Sequence, residues 1–213
     1  MKVANVNIGK KQTVSWRGKP VETGIFKHPQ NQPIRLESED VLGDAVVDRR
    51  YHGGIDKACY LYSADHYAFW QSEFPEVDWQ DGMMGENITI EGLSEKRIQI
   101  GDIYAIGDAL VQVTQPRQPC FKLGIRVGTQ KIIKAFINNP YPGVYVKVIR
   151  EGEVKKGDDF QLRERLHNSI GLLEVWDLLY KDNYDEELME FAIEFQHLAD
   201  ECKDSLRKRM NKE

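Results

Sequence analysis

Cys120 is the residue best placed to do chemistry. It sits in Gln115-Pro116-Arg117-Gln118-Pro119-Cys120-Phe121-Lys122, just past a run that reads as a buried strand, Leu110 to Thr114. Each proline locks φ and biases the residue before it toward extended geometry. The chain leaving that strand is therefore stiff and does not continue as helix. It delivers one cysteine with cationic side chains close in sequence, Arg117 and Lys122. Nearby positive charge favours thiolate, the form that attacks electrophiles or binds soft metals. The competing assignment is a small buried hydrophobe, and these residues alone leave both open.

A second cluster is Asp48-Arg49-Arg50-Tyr51-His52-Gly53-Gly54-Ile55-Asp56-Lys57. Adjacent glycines permit φ > 0 and close backbone approach to a ligand. Arg49, Arg50, His52 and Lys57 set donors around that bend. This is the composition of an anion-binding loop, without the spacing of a Walker P-loop; a polar hairpin is the alternative. A third candidate is Gly85-Glu86-Asn87 ahead of a strand. Asn87 has an amide donor and a carbonyl acceptor to offer a heterocycle edge, or it is a turn residue.

The elements that position these groups are mostly short strands. Lys2 to Ile8, Val21 to Ile25, Ile34 to Leu36, Ala58 to Tyr62, Ile88 to Ile90, Ile98 to Ile100, Ile103 to Ile106, Leu110 to Thr114, Gly143 to Ile149 and Phe160 to Arg163 carry strand signals. Arg17-Gly18-Lys19-Pro20, Gly101-Asp102 and Gly107-Asp108 supply turn chemistry, while Pro29 and Pro33 bound a loop. Close strands joined by Gly-Asp turns suggest a barrel or meander. Ser63 has the chemistry of a helix cap, with Tyr67, Trp70 and Phe74 on one face, read as core. A helix is expected over Thr129 to Asn138. From Asn168 onward only helical periodicity remains, and it allows one long helix or several.

Composition bounds the rest. The chain has 213 residues, 41% hydrophobic and 30% charged, enough for one good core plus a small accessory unit. It has no apolar run of about 18 residues and no signal-peptide core, so a cytoplasmic protein without a membrane span is expected. Three cysteines, Cys59, Cys120 and Cys202, argue against a disulfide framework and for a reducing compartment. Cys59 and Cys202 lie on apolar stretches and read as packing. Net charge −5 disfavours nucleic-acid binding. Residues 1–30 nevertheless carry Lys2, Lys10, Lys11, Arg17, Lys19 and Lys27 against Glu22 alone, a local +5 that leaves −10 on the remainder. Such a basic segment is a solvated face or a pocket for a phosphate-bearing ligand.

Taken together, Gln-Pro-Arg-x-Pro-Cys-x-Lys-Leu (Gln115 to Leu123), His-Gly-Gly-x-Asp-Lys (His52 to Lys57) and Gly-Glu-Asn (Gly85 to Asn87) resemble MOSC domains, the molybdenum cofactor sulfurase C-terminal type. The similarity is strongest to the YiiM-type branch and covers nearly the whole chain. It implies a mainly β, α+β fold: a MOSC-type β-barrel with a few short helices over 1–165, then a small three-helix C-terminal subdomain over 166–213, breaking near Gln196. It also implies a molybdenum cofactor (molybdopterin), with Cys120 as catalytic residue and molybdenum ligand. Arg17, Thr23, Lys27, Arg49, His52, Gly53, Gly54, Lys57, Asn87, Gln115 and Arg117 become candidate pterin and phosphate contacts.

The implied activity is reduction of small N-hydroxylated substrates, such as 6-hydroxylaminopurine-like base analogues, by oxygen-atom transfer at a Cys-ligated molybdenum. The sequence shows no flavin, haem or iron–sulfur motif, so a separate electron-donor protein is expected, with no nucleic-acid or membrane partner. Two alternatives stand beside this: a sulfur carrier using a Cys120 persulfide, and a non-catalytic anion- or pterin-binding module.

Overall fold

The computed structural model describes residues 1–47 and 53–211. In chain order the strands are β1 (Lys2–Gly9), β2 (Gln12–Trp16), β3 (Lys19–Thr23), β4 (Lys27–Pro29), β5 (Ile34–Leu36) and β6 (Cys59–Ser63). Helix α1 (Tyr67–Glu73), β7 (Ile88–Glu91), β8 (Ile103–Ile106) and β9 (Ala109–Pro116) follow. Then come α2 (Phe121–Val127), α3 (Lys131–Ile137), β10 (Val144–Arg150), β11 (Gly152–Val154) and β12 (Phe160–Glu164). Helices α4 (Leu172–Tyr180), α5 (Glu186–Glu194) and α6 (Asp200–Met210) end the chain.

The architecture is α+β, built on an eight-stranded sheet in the order β12-β8-β9-β10-β6-β7-β1-β4. Strand β6 runs through its middle, all five residues buried, parallel to β7 and antiparallel to β10. The barrel expected from the turn pattern is corrected in detail, because the ladder does not close continuously. Its two ends meet at one bridge, Lys2 with Asp159, and through Val3 N–H to Asp158 O and Phe160 N–H to Met1 O, both 2.9 Å. Side chains from inside the curved sheet and from α4–α6 merge into one apolar cluster, including Val6, Val111, Val146, Leu178, Ile193 and Leu206.

Several local expectations change. The second strand is Lys19–Thr23 and pairs with β2 as a separate hairpin. Ser63 does not cap; its hydroxyl donates to Leu93 O at 2.9 Å. Ile98 to Ile100 is not a strand of the sheet, because its backbone bonds the segment before α4 (Ile100 N–H to Ile170 O and Leu172 N–H to Ile98 O, 2.9 Å each). Helix α2 was not expected from the sequence; it begins directly after the proline-rich segment, at Phe121. The prolines stop β9 as expected, and the helix starts only after Cys120, whose extended φ −125° and ψ 166° make it the N-cap.

Two features hold the strand ends where a site forms. The first is backbone packing among Gly9, Gly24 and Ala45. A Cβ on Gly24 would lie 1.9 Å from Ala45 O, so only glycine fits. The second is Glu86, fully buried, whose Oε1 accepts from Tyr67 OH (2.7 Å), Gly82 N–H (2.7 Å) and Thr89 OH (2.8 Å). That carboxyl ties the loop before β7 and so fixes Gly85 and Asn87. Burial raises its pKa above the ordinary carboxylate value, more than these donors lower it.

Gly24→Ala is expected to cost about 3 kcal/mol of stability. Gly18→Ala, at a hairpin turn with φ +73° and open space around it, is expected to cost about 1 kcal/mol; urea denaturation compares the two. For Glu86 the folded-state pKa is raised, so its contribution is full below the unfolded value of about 4.3 and is lost as pH rises through the folded value. Urea midpoints measured from acid to neutral pH are expected to show a fall that Glu86→Gln removes.

Candidate functional site

A pocket with about 690 Å³ of empty space opens where β6, β9, β10, the end of β3 and the N-terminus of α2 converge. Cys120 lines it together with Arg117, Lys122, Lys57, Lys27, Thr23, Gly53 and Asn87. The β9 ladder ends at Pro116, paired with Val144. The stiff segment after it turns the guanidinium of Arg117 inward, and Cys120 then caps α2 at the rim of the same hollow. Cys120 is half-buried, whereas Cys59 and Cys202 are fully buried. Burial pushes both of those thiols up to about 12, keeping them protonated and inert.

Arg117 is only 5% exposed. Its guanidinium carbon lies 5.3 Å from the Tyr60 ring centroid and 5.2 Å from that of Phe136. Among the described residues it makes no ion pair with a carboxylate, and Nη1 has no hydrogen-bond partner. Burial lowers its pKa; Tyr60, Tyr145 and Cys120 outweigh that and the net shift is upward, so it remains a cation. Burial also holds Tyr145 protonated, with a pKa raised to about 12 against the pull of Arg117.

The lysines across the pocket are differently placed. Lys27 is paired with Asp44, buried beside it. Asp44 also accepts from Gly9 N–H at 2.8 Å and from Asn87 Nδ2 at 3.0 Å. Lys57 closes a short 3₁₀ turn, Ile55–Lys57, after two positive-φ glycines, Gly53 and Gly54. Its ammonium is 5.9 Å from the Tyr145 ring centroid and is paired with Glu201 of α6. The C-terminal helices thus reach the pocket wall. Thr114 OH lies 2.6 Å from Asp56 O and fastens that turn to β9.

The structure brings Thr23, Lys27, Gly53, Lys57, Asn87, Arg117 and Cys120 together and leaves others outside. Arg17 is at the β2–β3 turn, its guanidinium 5.4 Å from the Trp16 ring centroid, and does not line the pocket. Gly54 precedes the 3₁₀ turn and Gln115 is buried in the β9 ladder; neither lines the pocket. Arg49 and His52 lie outside the described residues. The amide of Asn87 is engaged at both ends, Oδ1 accepting from Tyr60 N–H at 3.3 Å and Nδ2 donating to Asp44. It orders the wall in addition to lining it. Sequence reasoning missed Asp44, Tyr60, Tyr145 and Glu201, which arrive from four separate segments. The signal available for Glu201 was only that acidic residues open the last helical run.

Comparison with known proteins identifies the family and the fold. The MOSC domain profile matches residues 48–161. An uncharacterised Bacillus subtilis protein, YflK, is 35% identical over 99% of this chain and 95% of its own length. Escherichia coli YiiM is 31% identical over 82% of this chain and 80% of its own. A Gibberella moniliformis protein named a reductase is 34% identical over 81% of this chain, which spans only 31% of that protein. The crystal structure of Geobacillus stearothermophilus YiiM superposes with a TM-score of 0.82 at 29% identity, covering 98% of each chain. The chain belongs to the MOSC domain family.

Proposed function

We propose that this chain is a molybdenum-cofactor-dependent reductase of N-hydroxylated compounds, with purine-like hydroxylamines as the substrate class. The observation that carries the reading is Arg117: a buried guanidinium with no carboxylate partner among the described residues, aimed into a pocket that also holds a half-buried thiol. A buried charge is costly unless paired, so this hollow favours an anion.

The charge balance around the pocket fits that anion. Among the described residues Lys27, Lys57, Arg117 and Lys122 line it, while Asp44 and Glu201 hold the first two, leaving +2 before the Cys120 sulfur is counted. A phosphate monoester near neutral pH carries about −1.5 to −2. The thiolate of Cys120 is a soft ligand suited to a polarizable metal, and it stands next to that cationic floor. The donor set therefore fits the cofactor named by the family resemblance, which would supply two-electron redox chemistry at oxygen when bound. In this reading Cys120 ligates the metal, Arg117 and Lys57 hold phosphate, and the Tyr145 hydroxyl remains a proton donor across the working pH range. YiiM-type likeness and the relative named a reductase point the same way.

Cys120→Ser is expected to abolish reduction of 6-hydroxylaminopurine by the cofactor-loaded protein while leaving thermal unfolding nearly unchanged. Retained turnover would contradict the reading. Glu201→Gln is expected to remove one negative charge from the pocket wall and tighten inorganic phosphate binding to the cofactor-free protein roughly threefold. Arg117→Met is expected to weaken it by roughly tenfold or more; isothermal titration measures both.

A further inference from the structure

We propose that the tip of the β2–β3 hairpin, together with Phe121, is a docking surface for an acidic electron-carrier protein. This rests on the reductase reading. Converting R–NH–OH to R–NH₂ and water breaks the N–O bond, forms an N–H bond and releases the oxygen as water. Two electrons and two protons are consumed, and a reduced carrier protein supplies the electrons.

The hairpin is a two-stranded sheet set apart from the large one. Its base reaches the pocket at Thr23, paired with Gln12, and its tip lies at the Trp16–Lys19 pair. There the Trp16 ring is 6.4 Å from that of Phe121, the residue directly after Cys120. Phe121 is 42% exposed. Arg17 holds its guanidinium over Trp16 from a left-handed backbone, φ 49°, a conformation that costs about 1 kcal/mol or more for a residue with a Cβ. An exposed phenylalanine and a half-buried tryptophan beside an arginine are the composition of interface centres rather than of ordinary surface.

Charge identifies the partner. Arg17 and Lys19 are exposed and make no ion pair among the described residues. Lys122 adds a third cation at the pocket side. The chain as a whole carries −5, so this basic tip is a local exception beside the thiol. A second copy of this acidic chain is one rival occupant, and an acidic redox protein is the better match. Redox encounters use small, electrostatically steered interfaces, and this one places the carrier within a residue of the proposed metal ligand.

The test is the Arg17→Glu/Lys19→Glu double variant of the cofactor-loaded full chain, both positions lying outside the pocket lining. Turnover is driven in one arm by flavodoxin, an acidic carrier, with its NADPH-dependent reductase, and in the other by dithionite-reduced methyl viologen. The expected result is a KM for flavodoxin raised roughly tenfold, a flattened salt dependence, and an unchanged viologen-driven rate. An unchanged KM overturns the docking surface. So does a viologen rate that falls in parallel, which would make these residues part of the cofactor site, or a wild-type dimer that the variant dissolves. Absence of viologen-driven turnover in the wild type defeats the reductase reading itself.

Discussion

A guanidinium with almost no access to water and, among the described residues, no carboxylate paired to it is the constraint around which the site is arranged. Arg117 is held between the rings of Tyr60 and Phe136, whose faces favour a cation. Those rings offset only part of the cost of desolvating a full charge. The rest of the compensation has to come from the pocket, where the Cys120 sulfur and the bulk of an anionic ligand would stand. Tyr60 is fixed in turn by its hydroxyl on Pro142 O at 2.9 Å and by Asn87, whose N–H donates to Tyr60 O and whose Oδ1 accepts from Tyr60 N–H. An anionic ligand beside Arg117 would offset that cost and fill the site.

Lys27 and Lys57 show the opposite arrangement. Asp44 and Glu201 hold them, one from the chain before the loop and one from the last helix. Each pair keeps its ammonium in place without cancelling the positive field of Arg117 and Lys122. The apolar cluster common to the sheet and α4–α6 gives the Glu201 contact a rigid base. Helix α6 thus meets the pocket wall through the Glu201–Lys57 pair, and Ala199 N–H before it donates to Thr114 O of β9 at 3.2 Å.

What was legible in the sequence was local. Alternation marked β1, part of β3 and β10, an apolar run marked β9, and the proline-flanked cysteine was visible because every part of it lies within a few residues. Gly-Gly and Gly-Glu-Asn were visible for the same reason. Asp44, Tyr60, Tyr145 and Glu201 were not, since only the closed sheet and the docked α6 bring them together. Arg17 shows the converse error: a cation counted with a basic segment points along the hairpin, because its turn needs a positive φ and Trp16 takes its guanidinium. Asn87 was found by type, but its partners lie far off in the chain. The seven-residue α2 escaped because proline chemistry marks where a strand ends, not where a short helix begins.

The most direct measurement is the molybdenum and pterin content of the folded full chain purified from a host that makes the cofactor. The account predicts molybdenum and pterin equimolar with protein, and loss of molybdenum from Cys120→Ser. Folded wild-type protein from that host carrying neither molybdenum nor pterin would contradict it.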